Sequence, residues 1–308
     1  MEVKRRTAKT LVAKLSSVSE QSRKEALSEL RLITKHDPLS RPLIADAGAI
    51  PLLANTLYSP SSTSQDNATA TLLNLSISSP ETLISTRGLL DALSHSLRRH
   101  SSSAAAAAAT LYSLLTVDDY RPIIGSKRDI VYALIDIVRN PNSPSRSIKD
   151  SLKALFGISL YPLNRSTVIE LGGVNALFSL VMKEGRVGLV EDATAVIAQI
   201  AGCEEAIDGF RKVSGIRVLV DLLDPLTGSS GRTRENAVLA LLNLVRCGGE
   251  KVAKNVGEMG FGVFNGIGEV AENGSEKGKS KAIELLKILL KVVDDDHHHH
   301  HSSHELYT

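Results

Sequence analysis

The sequence predicts an all-α solenoid, a row of helical repeats stacked in order, and three observations carry that prediction. A ten-residue pattern recurs, a glycine marker recurs in the same phase, and the apolar mass is aliphatic rather than aromatic. The pattern is Asp66-Asn67-Ala68-Thr69-Ala70-Thr71-Leu72-Leu73-Asn74-Leu75, matched by Glu235-Asn236-Ala237-Val238-Leu239-Ala240-Leu241-Leu242-Asn243-Leu244, with Asn to Asn seven residues in both. A third copy, Glu191 to Ile200, has Gln199 in place of the second Asn.

Aligning the remaining segments puts Arg31, Asn74, Ser113, Gly157, Gln199, Asn243 and Lys287 at one equivalent position, separated by 43, 39, 44, 42, 44 and 44 residues. A period of roughly 40 to 47 is that of two- or three-helix solenoid repeats. Gly48, Gly88, Gly173, Gly215 and Gly260 each precede an apolar segment, and Asp129 holds the matching place where glycine is missing. Hydrophobic residues make up 43% but aromatics only 4%, with no Trp, so the core is Leu, Ile, Val and Ala, which suit closely spaced helices.

The elements follow in order. Residues 1–6 are expected as a leader, 7–292 as the solenoid and 293–308 as a disordered Asp/His-rich tail. Within residues 38–77, Leu43, Ile44 and Ala47 mark a short helix and Gly48 a tight turn. Ile50, Leu52, Leu53, Leu57 and Tyr58 mark a second helix, with Pro51 in its first turn. Ser59 to Ser64 reads as a loop, and a long third helix follows from about Gln65 with Ala68, Leu72, Leu73 and Leu75 as its apolar stripe. The six alanines 104–109 predict plain, closely packed helix, and Gly260-Phe261-Gly262 with Gly266-Ile267-Gly268 predicts irregular helix in the last repeat. Six repeats plus an N-terminal partial one result, with Lys4, Arg5, Arg6 and Glu284, Lys287, Lys291 at the ends as polar caps.

Several function classes are disfavoured. A net charge of +2 gives no surplus for nucleic acid. No apolar run reaches the length of a membrane span, and the first 20 residues hold no signal-type apolar stretch, so a cytoplasmic chain with possible nuclear entry is expected. Cys203 and Cys247 are too few for a disulfide framework and read as small core or near-surface thiols. No phosphate loop, zinc-protease pair or nucleophile elbow occurs, and the His297 to His301 run has nothing to fix a metal geometry, so no catalytic residue, metal or cofactor is expected. The sequons at Asn67, Asn74, Asn164 and Asn273 are expected to be unused.

Gly48-Ala49-Ile50-Pro51-Leu52-Leu53, Asn67-Ala68 through Leu75-Ser76 and Asn236-Ala237 through Leu244 resemble armadillo repeats. Ala154-Leu155-Phe156-Gly157-Ile158-Ser159-Leu160 followed by Asn164-Arg165-Ser166 is similar to a unit of the armadillo region of plant U-box ubiquitin ligases and their armadillo-only relatives. The resemblance covers about residues 7 to 292 and implies a right-handed superhelical solenoid. No U-box is expected in the roughly 20 residues before the first repeat, a length too short for an independent core.

The resemblance also implies a concave groove lined by third helices, in which an Asn carboxamide, both donor and acceptor, holds one peptide unit of a partner. Asn74 and Asn243 are the first partner-binding candidates, then Gln199, with Asn67, Asn236, Arg31 and Lys287 beside them. The alternative is that these amides only bridge neighbouring helices. Arg23, Lys24 and Arg31, with Lys279 and Lys287, would make the groove ends basic, while Glu191 and Asp192 make it locally acidic. Ala70, Ala109, Lys153, Ala195 and Leu239 stand where importin-α-like ladders carry Trp, which argues against nuclear import. The expected function is a non-catalytic protein-binding scaffold for an extended or helical segment, linked to ubiquitin-dependent signalling, with substrate selection for a ligase in trans as the alternative.

Overall fold

The structure, a computed structural model, describes residues 1–304, with side chains as far as Val293. The described residues form helices and turns and no strand. They divide into two compact units, Met1–Tyr161 and Pro162–Thr308.

The first unit opens with a helix pair, α1 (Glu2–Lys14) and α2 (Glu20–His36). Ser19 caps α2 by accepting a hydrogen bond from the Ser22 amide at 3.2 Å, and Glu20 at its start with Lys35 and His36 at its end match the helix dipole. Residues 2–6, expected as a leader, belong to α1. The Lys4 ammonium reaches the Asp37 carboxylate at 2.7 Å, and the Ser40 hydroxyl donates to the same oxygen at 2.6 Å, so α1 is tied down from its first turn.

Three repeats follow. The first holds α3 (Ser40–Asp46), α4 (Ala49–Thr56) and α5 (Ser62–Ser78). Gly48 turns the chain with φ 87°, a left-handed conformation that costs glycine no Cβ clash. The third helix starts three residues before the expected Gln65, because Ser61 is the cap and accepts from the Ser64 amide at 3.3 Å. Gln65 is buried and donates back to the Ser59 carbonyl. The second repeat holds α6 (Pro80–Ser85), α7 (Leu89–Arg98) and α8 (Ser103–Leu115), the alanine run lying inside α8 with Ala104, Ala107 and Ala108 buried. The third holds α9 (Arg121–Gly125), α10 (Arg128–Arg139) and α11 (Ser145–Ser159). Here Asp129, expected at the turn, lies inside the first turn of α10, and the chain reaches it through Lys127 at φ −82° with no left-handed residue.

In the second unit, α12 (Arg165–Glu170), α13 (Gly173–Lys183) and α14 (Val187–Ile200) form one repeat. The next comprises α15 (Glu205–Lys212), α16 (Gly215–Leu223) and the start of α17 (Gly231–Gly257). Gly249, at φ 62° and ψ −152°, breaks α17, so its last turns serve as the first helix of the final repeat, followed by α18 (Phe261–Asn273) and α19 (Glu276–His304). The expected six repeats and one partial repeat are all present.

The glycine marker has two physical causes. At two of the second unit's markers the left-handed residue stands one place earlier, Gly172 (φ 91°) before Gly173 and Ser214 (φ 53°) before Gly215, whereas Gly260 itself has φ 96°. A Cβ on Gly173 would lie 2.6 Å from the Val168 carbonyl oxygen, and one on Gly215 would lie 2.9 Å from Phe178 Cζ. Those two glycines therefore answer to packing rather than to backbone conformation. Gly266 does likewise, its Cβ position lying 2.7 Å from Leu223 Cβ, and α18 is a regular helix rather than the irregular one expected. α19 is continuous past residue 293, where the tail was expected to begin; the side chains of Asp294 to His304, and all of residues 305–308, lie outside the described residues.

Candidate functional site

Third helices pack side by side in each unit: α2, α5, α8 and α11 in the first, α14, α17 and α19 in the second. The equivalent position read from the sequence is where each third helix meets the one before it. Asn74 Nδ2 of α5 donates to the Thr34 hydroxyl of α2 at 3.1 Å. Ser113 of α8 accepts from the Ser76 hydroxyl of α5 at 2.8 Å. Gly157 of α11 lies flat on α8, a Cβ there falling 2.9 Å from Leu115 Cβ. In the second unit Asn243 Nδ2 of α17 donates to the Ala198 carbonyl of α14 at 2.8 Å.

The amides thus bridge neighbouring helices through their nitrogens, as the alternative reading of the sequence has it. Their oxygens are different: the Oδ1 atoms of Asn74 and Asn243 carry no hydrogen bond among the described residues, and both side chains are half-buried. A carboxamide pinned on its donor side presents an oriented acceptor to whatever lies over the helix face. Gln199 is occupied on the acceptor side, its Oε1 taking a bond from Arg165 Nη2 at 3.3 Å.

Asn67 accepts from Arg31 Nη1 at 3.0 Å, joining α5 to α2. Asn236 Nδ2 donates to the Glu191 carbonyl and to the Thr194 hydroxyl, each at 3.1 Å. Lys287 is exposed on α19 beside Val245, Arg246 and Gly249, at a cavity of about 490 Å³. The structure gathers Arg31, Asn67 and Asn74 in the first unit, and Gln199, Asn236, Asn243 and Lys287 in the second. The basic N-terminal end is partly spent: Arg23 donates to the Ser17 and Val18 carbonyls, and Lys24 pairs with Glu20 at 2.7 Å. Lys279 and Lys287 have no ion pair among the described residues.

A second set of contacts escaped the sequence reading. Ser102, the cap residue of α8, donates to both oxygens of Asp66 at 2.7 and 2.9 Å. Ser230, capping α17, donates to Glu191 at 2.7 Å, and Ser275, before α19, bonds Glu235 through both its amide and its hydroxyl at 2.7 Å. An acid in the first turns of one third helix so clasps the start of the next, where the helix dipole favours negative charge. The signal was an acid followed 36 to 40 residues later by a serine. Arg246 of α17 adds an ion pair to Glu284 of α19. Among the described residues, no group of three or more His, Cys, Asp or Glu is placed to hold a metal, and no helix is long and apolar enough to cross a membrane.

The first unit's third helices also carry an apolar row. Leu73, Tyr112 and Phe156 each precede the equivalent position by one residue, on neighbouring helices, and each is partly exposed. The Lys153 ammonium stands 6.0 Å from the centre of the Tyr112 ring.

Comparison with known proteins agrees with this architecture. The sequence matches the family described as "Plant U-box protein ARM repeat region" over residues 8–306. U-box domain-containing protein 16 of Arabidopsis thaliana is 30% identical over 85% of the chain and 38% of its own length. The chain spans about two fifths of the length of the first of these relatives, 42% of U-box domain-containing protein 19 from the same plant being another case. Among solved structures, a designed armadillo repeat protein, YIII(Dq)4CqI, aligns over 91% of this chain and 99% of its own with a TM-score of 0.54 at 20% identity. A chain solved in work on the interaction between cadherin and beta-catenin aligns over 92% of this chain and 55% of its own with a TM-score of 0.75 at 18% identity. These likenesses establish the fold as an armadillo-repeat solenoid, and the family match is what assigns it: the chain belongs to the plant U-box protein ARM repeat region family.

Proposed function

We propose that the chain is a non-catalytic scaffold that holds a segment of a partner protein against its third helices, with the Asn74 and Asn243 carboxamides as backbone contacts. The observation that carries this reading is the half-used state of those amides. Their nitrogens are fixed by the preceding third helix while their oxygens are open, so an incoming N–H meets an acceptor already oriented. A carboxamide oxygen recognises a peptide N–H whatever side chain accompanies it, which suits a binding face that reads the backbone first. Apolar helix faces are consumed in stacking, and no convergent catalytic group of the usual kinds stands out among the described residues.

The relatives are named for a U-box, and this chain matches their ARM repeat region. That supports a second reading, in which the scaffold selects substrates for ubiquitin transfer carried out by a U-box. Purification of partners from cells, with the unchanged chain beside an Asn74→Arg/Asn243→Arg double variant that circular dichroism shows to be helical, tests both. Partners lost only from the variant support the scaffold, and ubiquitin ligases among them support the second reading. An identical partner set from both chains overturns the role of the two amides.

A further inference from the structure

We propose that the third-helix face of the first unit is a docking strip for an amphipathic acidic helix, anchored on Leu73, Tyr112 and Phe156 and flanked by Lys149 and Lys153. The inference rests on the scaffold reading and names the chemistry of one partner segment.

The three anchors occupy one register on α5, α8 and α11, which pack in that order. Tyr112 and Phe156 are the aromatic residues that the described third helices carry, in a chain whose aromatics amount to 4%. The aromatics Phe178 and Phe210, by contrast, are buried against each other in the second unit's core. Tyr112 is 36% exposed and Ile77, one turn beyond Leu73, is 62% exposed, so the strip meets solvent over more than one residue. Three residues before the anchors on α5 and α8 stand Ala70 and Ala109, each half-buried, so no long side chain stands beside the row there. Amphipathic aromatic side chains next to small ones make the kind of pocket that interface anchors fill.

Charge selects the occupant. Lys149 is exposed and Lys153 stands over the Tyr112 ring, and neither is in an ion pair. The acids on the same face are engaged: Asp66 by Ser102, and Asp150 facing Arg146 at 3.7 Å. Asp66 on α5 keeps its charge under the Ser102 hydrogen bonds, but at the α11 end Lys149 and Lys153 leave a local positive excess, which a segment with carboxylates on that flank complements. Spacing selects the conformation. Packed helices lie roughly 8–10 Å apart, and residues i and i+7 of an α-helix are about 10.5 Å apart on one face. An extended strand repeats its same-face side chains at about 6.7 Å, which falls out of step with the rows.

The test is a fluorescence anisotropy titration of the full chain with a labelled synthetic helical peptide carrying Leu at positions seven apart and Glu on the flanking positions. Two control peptides replace Glu by Lys or move one Leu by two positions. The acidic peptide is expected to bind at least tenfold tighter than either control, and to weaken as salt is added. Lys149→Glu/Lys153→Glu and, separately, Tyr112→Ala should each lose about tenfold or more, the scale of removing one interface anchor. Glu272→Ala, at an exposed position of α18 in the other unit, should bind the peptide unchanged. Equal binding of the Lys control, or no loss in both strip variants, overturns the docking strip. An absent strip together with partners lost from the Asn74→Arg/Asn243→Arg variant overturns this inference while leaving the scaffold reading standing.

Discussion

Burial of Cys203 pushes its thiol up to about 11, with the Glu205 side chain adding to the shift. A thiol must ionise to react, so the group is protected near neutral pH by its surroundings rather than by inaccessibility alone. Alkylation of Cys203 by iodoacetamide at pH 8 is expected to run about a hundredfold slower than that of a thiol near 9, the difference in thiolate fraction between the two. Peptide mass spectrometry over a time course measures it, and labelling at the rate of an ordinary thiol would contradict the burial. Gly157 is the second residue-scale test. Its place on Leu115 leaves 2.9 Å for a Cβ, and Gly157→Ala should destabilise by about 1–3 kcal/mol, the usual cost of overpacking, read from urea unfolding. The sequence places Gly157 in register; only the approach of α8 reveals why no side chain stands there.

At the scale of elements, a three-residue error at the start of α5 shows where sequence reading stops. Ser59, Ser61, Ser62 and Ser64 are all plausible caps by residue type, and the choice of Ser61 depends on the packing of Gln65 beneath the turn. Ser61→Ala is expected to cost about 1 kcal/mol in urea denaturation, while an alanine at exposed Ser62 should change little. The start of α1 depends likewise on a distant contact. Lys4 beside Asp37 holds that carboxyl below its ordinary range, with Ser40 assisting. A depressed folded pKa means the contact stabilises above the unfolded value, near 3.9 as a general reference (~4), and that this contribution is lost as pH falls through the folded value. Amide hydrogen exchange in α1 should therefore accelerate, relative to that in α8, on going from pH 6 to pH 3. Lys4→Met should abolish that relative change; a persisting change would place its origin elsewhere.

On the scale of the whole chain, repetition is what made the fold legible. Three copies of one pattern fixed the period, and the period located helices whose own signals are weak, such as the alanine-rich α8. The candidate site was less legible because one register position holds different chemistry at each step: an amide on a hydroxyl, a serine on a serine, a glycine on a leucine. Periodicity gives place, and the neighbouring helix decides use. In a nearest-neighbour stack, α8 has a third helix on either side whereas α1 lies at the start of the described array, so hydrogen exchange at neutral pH should be slowest in α8 and clearly faster in α1. Uniform protection across the two would contradict independent repeat-by-repeat stability.

The serine–carboxylate clasps carry a consequence for how such a chain can change length. α17 holds both halves of the contact: Ser230 at its start grips Glu191 of the preceding third helix, and Glu235 one turn later receives Ser275 of the following one. A module with a plug at one edge and a socket at the other fits any copy of itself, so duplicating or deleting such a repeat leaves no unmatched joint. The step from α8 to α11 lacks the pair, with Ala105 and Pro144 at the corresponding places. That seam is where a foreign repeat would find no such socket, and the helices on either side of it meet through packing and the Lys153–Tyr112 contact.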